Sequence, residues 1–311
     1  VETIRAADLS RRFGDTVAVD RLSLSVGEGE LFGLVGSDGA GKTTTMRLLS
    51  GVLDPTSGEA FVLGRPVKGE SAAIHREIGY MSQRFGLYPD LSVQENIDFY
   101  ADLYGVPRKV RSERIPELLA FSGLGPFRGR AAGNLSGGMK QKLGLSCALV
   151  HTPRVLFLDE PTNGVDPVSR RDFWRILYRL LRDKVTIFVS TAYLDEAERF
   201  RRLAFLHDGR LLATGTPDSL KAGLAGRVVE APCEAPRRAA VRLRESMGPG
   251  CHVAMLGDRV RVVVPDEGDA AGRVEEALRG TTGGRGTAAL VEPTLEDAFV
   301  SMLSAAGGAA S

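Results

Sequence analysis

Cysteine and histidine are scarce in this chain. The three cysteines, Cys147, Cys233 and Cys251, lie far apart and form no CxxC pair. They support neither a disulfide framework nor a zinc site, and a reducing compartment is expected. The four histidines, His75, His151, His207 and His252, are scattered without ligand spacing. An excess of one charge sign is missing too: 40 basic and 39 acidic residues leave a net +1. Bulk electrostatics therefore give no case for nucleic acid as a partner. No apolar run approaches the roughly 18–20 residues that span a bilayer. The opening VETIRAADLSRRFG is charged and lacks the apolar core of a signal peptide. A cytoplasmic location is expected, with any membrane crossing supplied by another chain or segment. The sequence opens on Val rather than Met, which suggests a trimmed chain or part of a longer one.

What is present is ordinary globular composition, 43% hydrophobic and 25% charged over 311 residues. Short alternating runs over residues 1–35 predict strands punctuated by the FGD and GEGE turns. KTTTMRLLSGVL then predicts a helix, and EAFVLG and REIGYMSQ predict strands. Residues 88–152 carry helical spacing throughout and predict a helical block inside an α/β domain. Beyond it, RVLFLDE and KVTIFVS are continuously apolar, as central strands of a parallel sheet are. They alternate with the predicted helices DPVSRRDFWRILYRLLRD and YLDEAERF, and RLAFLHDGRLLATG predicts a hairpin. Trp174, with Phe173, Ile176, Leu177 and Leu180, sits at helical spacing and is expected in the core. A break near residue 219 divides the chain into a domain over 1–218 and a small one over 219–304. The predicted order in the latter is βαββαβ, that of a ferredoxin-like α+β unit. RGTTGGRGT, residues 279–287, is expected to be a flexible connector and residues 305–311 a disordered tail.

Three stretches carry chemistry. GSDGAGKTT runs from Gly36 through Ser37, Asp38, Gly39, Ala40, Gly41, Lys42 and Thr43 to Thr44 and satisfies G-x-x-x-x-G-K-[ST] between a strand and a helix. Such a loop turns backbone N–H groups toward phosphates at a helix N-terminus. Lys42 neutralises the β/γ oxygens, and the Thr43 hydroxyl is a Mg²⁺ ligand. VLFLDEP places Asp159 and Glu160 at the carboxyl end of an apolar strand, where ligands of open parallel sheets sit. Asp159 suits the Mg²⁺ shell and Glu160 suits a general base for water; a pair of helix caps is the plain alternative. In NLSGGMKQK, Ser136 is an N-cap candidate, and Gly137 and Gly138 allow close backbone approach. That helix start is either an anion site awaiting a phosphate or a cap alone.

Taken together, these motifs resemble the nucleotide-binding subunit of ATP-binding-cassette (ABC) transporters, in the family's order: GSDGAGKTT, Gln83 in YMSQ, LSGGMKQK, LFLDEP, then Asp166 in NGVDP. The resemblance covers residues 1–218. It implies a P-loop NTPase cassette with a parallel-sheet core, an N-terminal antiparallel β part and a helical subdomain. LSVQENIDFYADLYG, VEPTLEDAFVSML and the small C-terminal domain are similar to the bacterial ABC-2-type exporters of the drug-efflux group. The resemblance also assigns roles. Phe13 in RRFGD matches the aromatic that stacks on adenine, although a half-buried edge aromatic reads the same way. Gln83 matches the residue that senses Mg²⁺ and water. Asp166 matches a cross-subunit contact, although it would also cap the helix after it. The family's cassettes pack head to tail, so Ser136, Gly137, Gly138 and Met139 would meet the ATP of a second ABC cassette. Mg²⁺ and an ABC-2-type transmembrane permease complete the implied partners.

The sequence departs from the family at three places. Ala192 in STAYLDEAE stands where the family has a His that donates to the γ-phosphate. Losing one such donor costs on the order of 10²–10³ in rate. Met139 replaces the usual Gln, and Ser37–Asp38 replaces the commoner Pro–Asn. These departures suggest a cassette that binds ATP well and hydrolyses it slowly, as in first halves of tandem-cassette exporters. Two other readings remain: a soluble ABC ATPase without a permease, and a regulatory cassette with weakened catalysis. The transported substrate is not encoded in these motifs.

Overall fold

The computed structural model describes residues 2–83, 86–248, 251–264, 268–279 and 287–308. The chain forms two compact units that divide between Ala213 and Thr214.

In the first unit, β1 (Glu2–Phe13) and β2 (Thr16–Gly27) make a long antiparallel hairpin. Gly14 and Asp15 form its turn, as the FGD signal predicts. Next come β3 (Leu31–Val35) and α1 (Lys42–Leu49). The chain then returns through β4 (Ser57–Val62) and β5 (Arg65–Pro66), which extend the hairpin into a sheet ordered β2-β1-β4-β5. The helix α2 (Val67–His75) was not legible: its backbone is non-helical at Lys68, Gly69 and Glu70, and only Val67 and Ile74 are buried, so no apolar stripe announces it. After β6 (Ile78–Met81) come α3 (Val93–Leu103), α4 (Arg108–Ser122) and α5 (Gly137–Leu149), the expected helical block. Then follow β7 (Val155–Asp159), α6 (Pro167–Arg182), β8 (Thr186–Thr191), α7 (Leu194–Ala197), β9 (Arg202–His207) and β10 (Arg210–Gly215).

The second sheet runs β10-β9-β3-β8-β7-β6, and every pair from β9 to β6 is parallel. Its central strands β3, β7 and β8 are buried at every residue, which explains their unbroken apolar sequence. Phe188 joins Phe32 and Phe157 in an aromatic row across them, with ring centroids 5.4 and 5.8 Å apart. The buried face of α6 is Phe173, Trp174, Ile176, Leu177 and Leu180, as its spacing predicts. α7 is shorter than the expected helix YLDEAERF. The chain must turn there so that Phe200 can lie on the backbone of β3; a Cβ at Gly33 would stand 2.1 Å from that ring.

The second unit begins with α8 (Pro217–Ala222), which straddles the boundary expected at 218. β11 (Arg227–Pro232), α9 (Pro236–Met247), β12 (His252–Leu256), β13 (Arg259–Val264), α10 (Ala270–Leu278) and β14 (Ala289–Val291) follow in βαββαβ order. Its antiparallel sheet is ordered β12-β13-β11-β14, the ferredoxin-like arrangement. The last helix, α11 (Leu295–Gly308), continues through four of the residues expected to form a disordered tail. The connector expected at 279–287 lies mostly outside the described residues, as do residues 309–311. Among the described residues, no helix is long and apolar enough to cross a membrane.

Candidate active site

Because β3, β6, β7 and β8 are parallel, the segments after them emerge at one edge of the sheet. Those segments are the glycine loop, Gln83, Glu160 and Ala192. A strictly sequential pattern thus becomes one site.

The glycine loop, residues 36–41, joins β3 to α1. Two of its glycines are required by close approach. A Cβ at Gly36 would sit 2.3 Å from the Leu206 carbonyl oxygen, and one at Gly41 would sit 2.4 Å from that of Ala18, at a φ of +101°. No side chain caps α1, so its first N–H groups are not taken up by a capping side chain. Lys42, the first residue of α1, is only 4% exposed. Its Nζ donates to the carbonyl oxygens of Gly36 (2.8 Å) and Ser37 (2.9 Å) and pairs with Glu160 Oε1 at 3.0 Å.

Asp159 and Glu160 are held from β8. The Ser190 hydroxyl donates to Asp159 Oδ1 at 2.6 Å and accepts the Glu160 backbone N–H at 3.0 Å. Glu160 adopts a φ of +48°, uncommon for a residue with a side chain. That turn aims its carboxylate at the lysine. Glu160 Oε2 accepts from Gln83 Nε2 (3.0 Å) and Asn163 Nδ2 (3.3 Å). Burial pushes the Asp159 carboxyl above the usual carboxylate range, against the Ser190 hydrogen bond and the nearby Thr43 hydroxyl. Its Oδ2 is buried without a hydrogen-bond partner. An unpaired carboxylate oxygen beside a hydroxyl fits a hard cation that takes most of its ligands from phosphates and water, as Mg²⁺ does.

Ala192 lies one residue beyond β8 and is exposed. It lines a cleft of about 170 Å³ with Asp38, Glu160, Thr162, Asn163, Thr191 and Tyr193. Four of these, Thr162, Asn163, Thr191 and Tyr193, carry no motif role of their own in the sequence. Their only signal was adjacency to the acidic strand and to the STA turn.

Other expected residues stand apart from this cluster. Phe13 is half exposed at the end of β1, with the Arg11 guanidinium 4.6 Å over its ring. Ser136 does cap α5, accepting the Met139 N–H at 3.3 Å, and Ser136 and Gly137 are exposed. Gly138 is glycine for packing: a Cβ there would stand 2.4 Å from the Ser169 side chain of α6. Asp166 caps α6, accepting from Ser169 (2.9 Å) and Val168 (3.1 Å), and the Ser169 bonds lead in holding its carboxyl below the usual range. Nothing in these contacts joins the LSGGMKQK stretch to the glycine loop of the same chain.

Known proteins similar to this chain are ATP-binding cassettes. The family described as ABC transporter matches residues 19–163. The chain is 44% identical over 311 residues to "Probable multidrug ABC transporter ATP-binding protein YbhF" of Escherichia coli, covering 96% of this chain and 52% of that protein. It thus spans about half the length of that relative. It is 38% identical over 251 residues to "Nod factor export ATP-binding protein I" of Burkholderia pseudomallei, covering 80% of this chain and 81% of the relative. Among solved structures, an ATP-binding subunit of an ABC transporter superposes with a TM-score of 0.65 at 28% identity, over 71% of this chain and 92% of that one. A dimeric, post-hydrolysis ATP-binding cassette bound to ADP and phosphate superposes with a TM-score of 0.63 at 25% identity, over 68% and 98%. With its glycine loop, its acidic strand and these relatives, the chain belongs to the family of ABC transporter ATP-binding cassettes.

Proposed function

We propose that this chain is the ATP-binding and ATP-hydrolysing subunit of an ABC-2-type membrane exporter, and that its own site turns over slowly. The observation that carries the reading is the convergence of Lys42, Gln83 and Asn163 on the Glu160 carboxylate, next to the unpaired oxygen of Asp159. The N–H groups of α1 and the Lys42 ammonium bind the triphosphate. Phe13 offers its exposed face to adenine. Thr43, Asp159 and Gln83 would hold Mg²⁺, which when bound supplies charge neutralisation at the β and γ oxygens. Glu160 orients the attacking water and takes its proton. Ala192 brings no donor to the γ-phosphate, so one source of transition-state stabilisation is missing.

The exposed Ser136 and Gly137 at the start of α5 suit the ATP of a second cassette, either another copy or a fully competent partner. The multidrug-transporter and Nod-factor-export names of the relatives support a permease partner at the cytoplasmic face of the membrane. A groove lined by Val52, His75, Tyr80, Leu103 and Tyr104 gives that permease an apolar seat, with Val52 58% and Leu103 65% exposed. A weakened regulatory cassette is the second reading, favoured by Ala192 alone.

Steady-state Mg²⁺-ATP hydrolysis by the purified chain, with and without a second cassette, tests the proposal. Slow turnover that Glu160→Gln abolishes and that a competent cassette raises is the expected result. Failure to bind ATP, or turnover indifferent to Glu160→Gln, would overturn it. ATP binding without turnover under either condition would leave the regulatory reading.

A further inference from the structure

We propose that Tyr193 is a positioning residue for hydrolysis: acting through Asn163, it fixes the Glu160 carboxylate on the side of the cleft where Ala192 contributes no polar group. The inference rests on Glu160 being the general base.

The hydrogen-bond polarity allows one arrangement. An ionised carboxylate only accepts, so the Asn163 group facing Glu160 Oε2 must be its amide nitrogen, at 3.3 Å. That orientation leaves Asn163 Oδ1 pointing at the Tyr193 hydroxyl, 3.2 Å away. Tyr193 must therefore donate. A relay of Tyr193 to Asn163 to Glu160 meets the Gln83 bond on the same oxygen, while Lys42 holds the other. Asn163 and Gln83 thus hold Oε2 independently of Lys42, so this oxygen stays fixed when the triphosphate takes the ammonium from the other.

Tyr193 is itself built into place, although 36% exposed. Its backbone N–H donates to Thr191 Oγ1 at 3.0 Å. Its ring lies under the Arg170 guanidinium, 4.7 Å from centroid to centre. Arg170 pairs with Asp195 (3.5 Å) and with Glu196 (3.6 Å), and Glu196 is 1% exposed. Glu196 also accepts from Trp174 Nε1 (3.3 Å) and from the Thr191 hydroxyl (2.9 Å). A surface tyrosine that served solubility alone would not require this platform. Anchored side chains of this kind hold catalytic groups in geometry, and an error of about 1 Å there costs on the order of 10²-fold in rate.

Tyr193→Phe in the full chain tests the proposal, because it keeps the ring under Arg170 and removes only the donor. The expected result is a kcat lowered by roughly tenfold or more, with KM for ATP and Tm unchanged. Asn163→Ala should lower kcat at least as much, and the double variant should be no slower than Asn163→Ala alone, because Tyr193 acts through Asn163. A Tyr193→Phe enzyme with wild-type kcat, a change confined to KM, or losses that multiply in the double variant would each overturn the proposal while Glu160-dependent turnover stands. If the wild type shows no Glu160-dependent turnover, the reading of the site fails and this proposal fails with it.

Discussion

A methyl group stands at position 192, bordering the same cleft as Glu160, where the proposed mechanism calls for a hydrogen-bond donor. Ala192→His should therefore raise the steady-state ATPase rate by roughly tenfold or more; an unchanged rate would show that another step is limiting. Asp159 makes a different prediction. Its carboxyl is raised by burial, so it favours the fold at pH below the ordinary carboxylate value and loses that contribution as pH rises through the raised one. At neutral pH the buried charge opposes folding. Asp159→Asn keeps an acceptor for Ser190 and should raise the Tm of the nucleotide-free protein at pH 7, with the gain fading near about pH 4. The same change should cut turnover by on the order of 10² or more. At this scale the sequence was most readable where one motif holds both partners. Lys42, Glu160 and Ser136 announce themselves by spacing. Asn163 and Tyr193 meet across 30 positions, and their contact exists only because β7 and β8 are neighbours.

Elements were legible in proportion to their burial. β3, β7 and β8 are buried throughout and read as unbroken apolar runs, whereas α2, broken at Gly69, gave no period. Gly138 shows how the same residue can carry two readings: it marks a ligand approach in sequence and an α5–α6 contact in space. In the second unit, Arg261 of β13 ties three elements together. It bonds Glu230 of β11, the Glu292 carbonyl before α11 (2.7 Å) and Asp297 of α11 (2.8 Å). Burial raises the Asp297 carboxyl, but the bonds from Arg261 and Thr294 outweigh it and hold it below the usual range. Its contribution is thus present above the ordinary carboxylate value and lost as pH falls through the lowered one. Arg261→Met should destabilise this unit by about 3 kcal/mol or more, since it leaves the buried Asp297 carboxylate without its cation, while Glu230 keeps only Arg259 at 3.5 Å. Amide exchange of β11 and β13 measures the loss, and its dependence on acid should weaken in the variant.

Over the whole molecule, the order β10-β9-β3-β8-β7-β6 is what turns a linear string of motifs into one edge. Sequence alternation gave the parallel sheet, but strand order follows from long-range pairing that no local pattern records. The ferredoxin-like order of the second unit was reachable because βαββαβ admits few compact arrangements. The contact between Lys42 and Glu160 has a kinetic consequence for the proposed function. Both side chains are nearly dry, 4% and 8% exposed, and they touch at 3.0 Å. In the proposed mechanism ATP must win the ammonium from the Glu160 carboxylate, so substrate capture and the unlatching of that carboxylate are a single event. Removing the charge with Glu160→Gln should open the latch permanently: ATP should bind several-fold more tightly in a calorimetric titration, even as turnover stops.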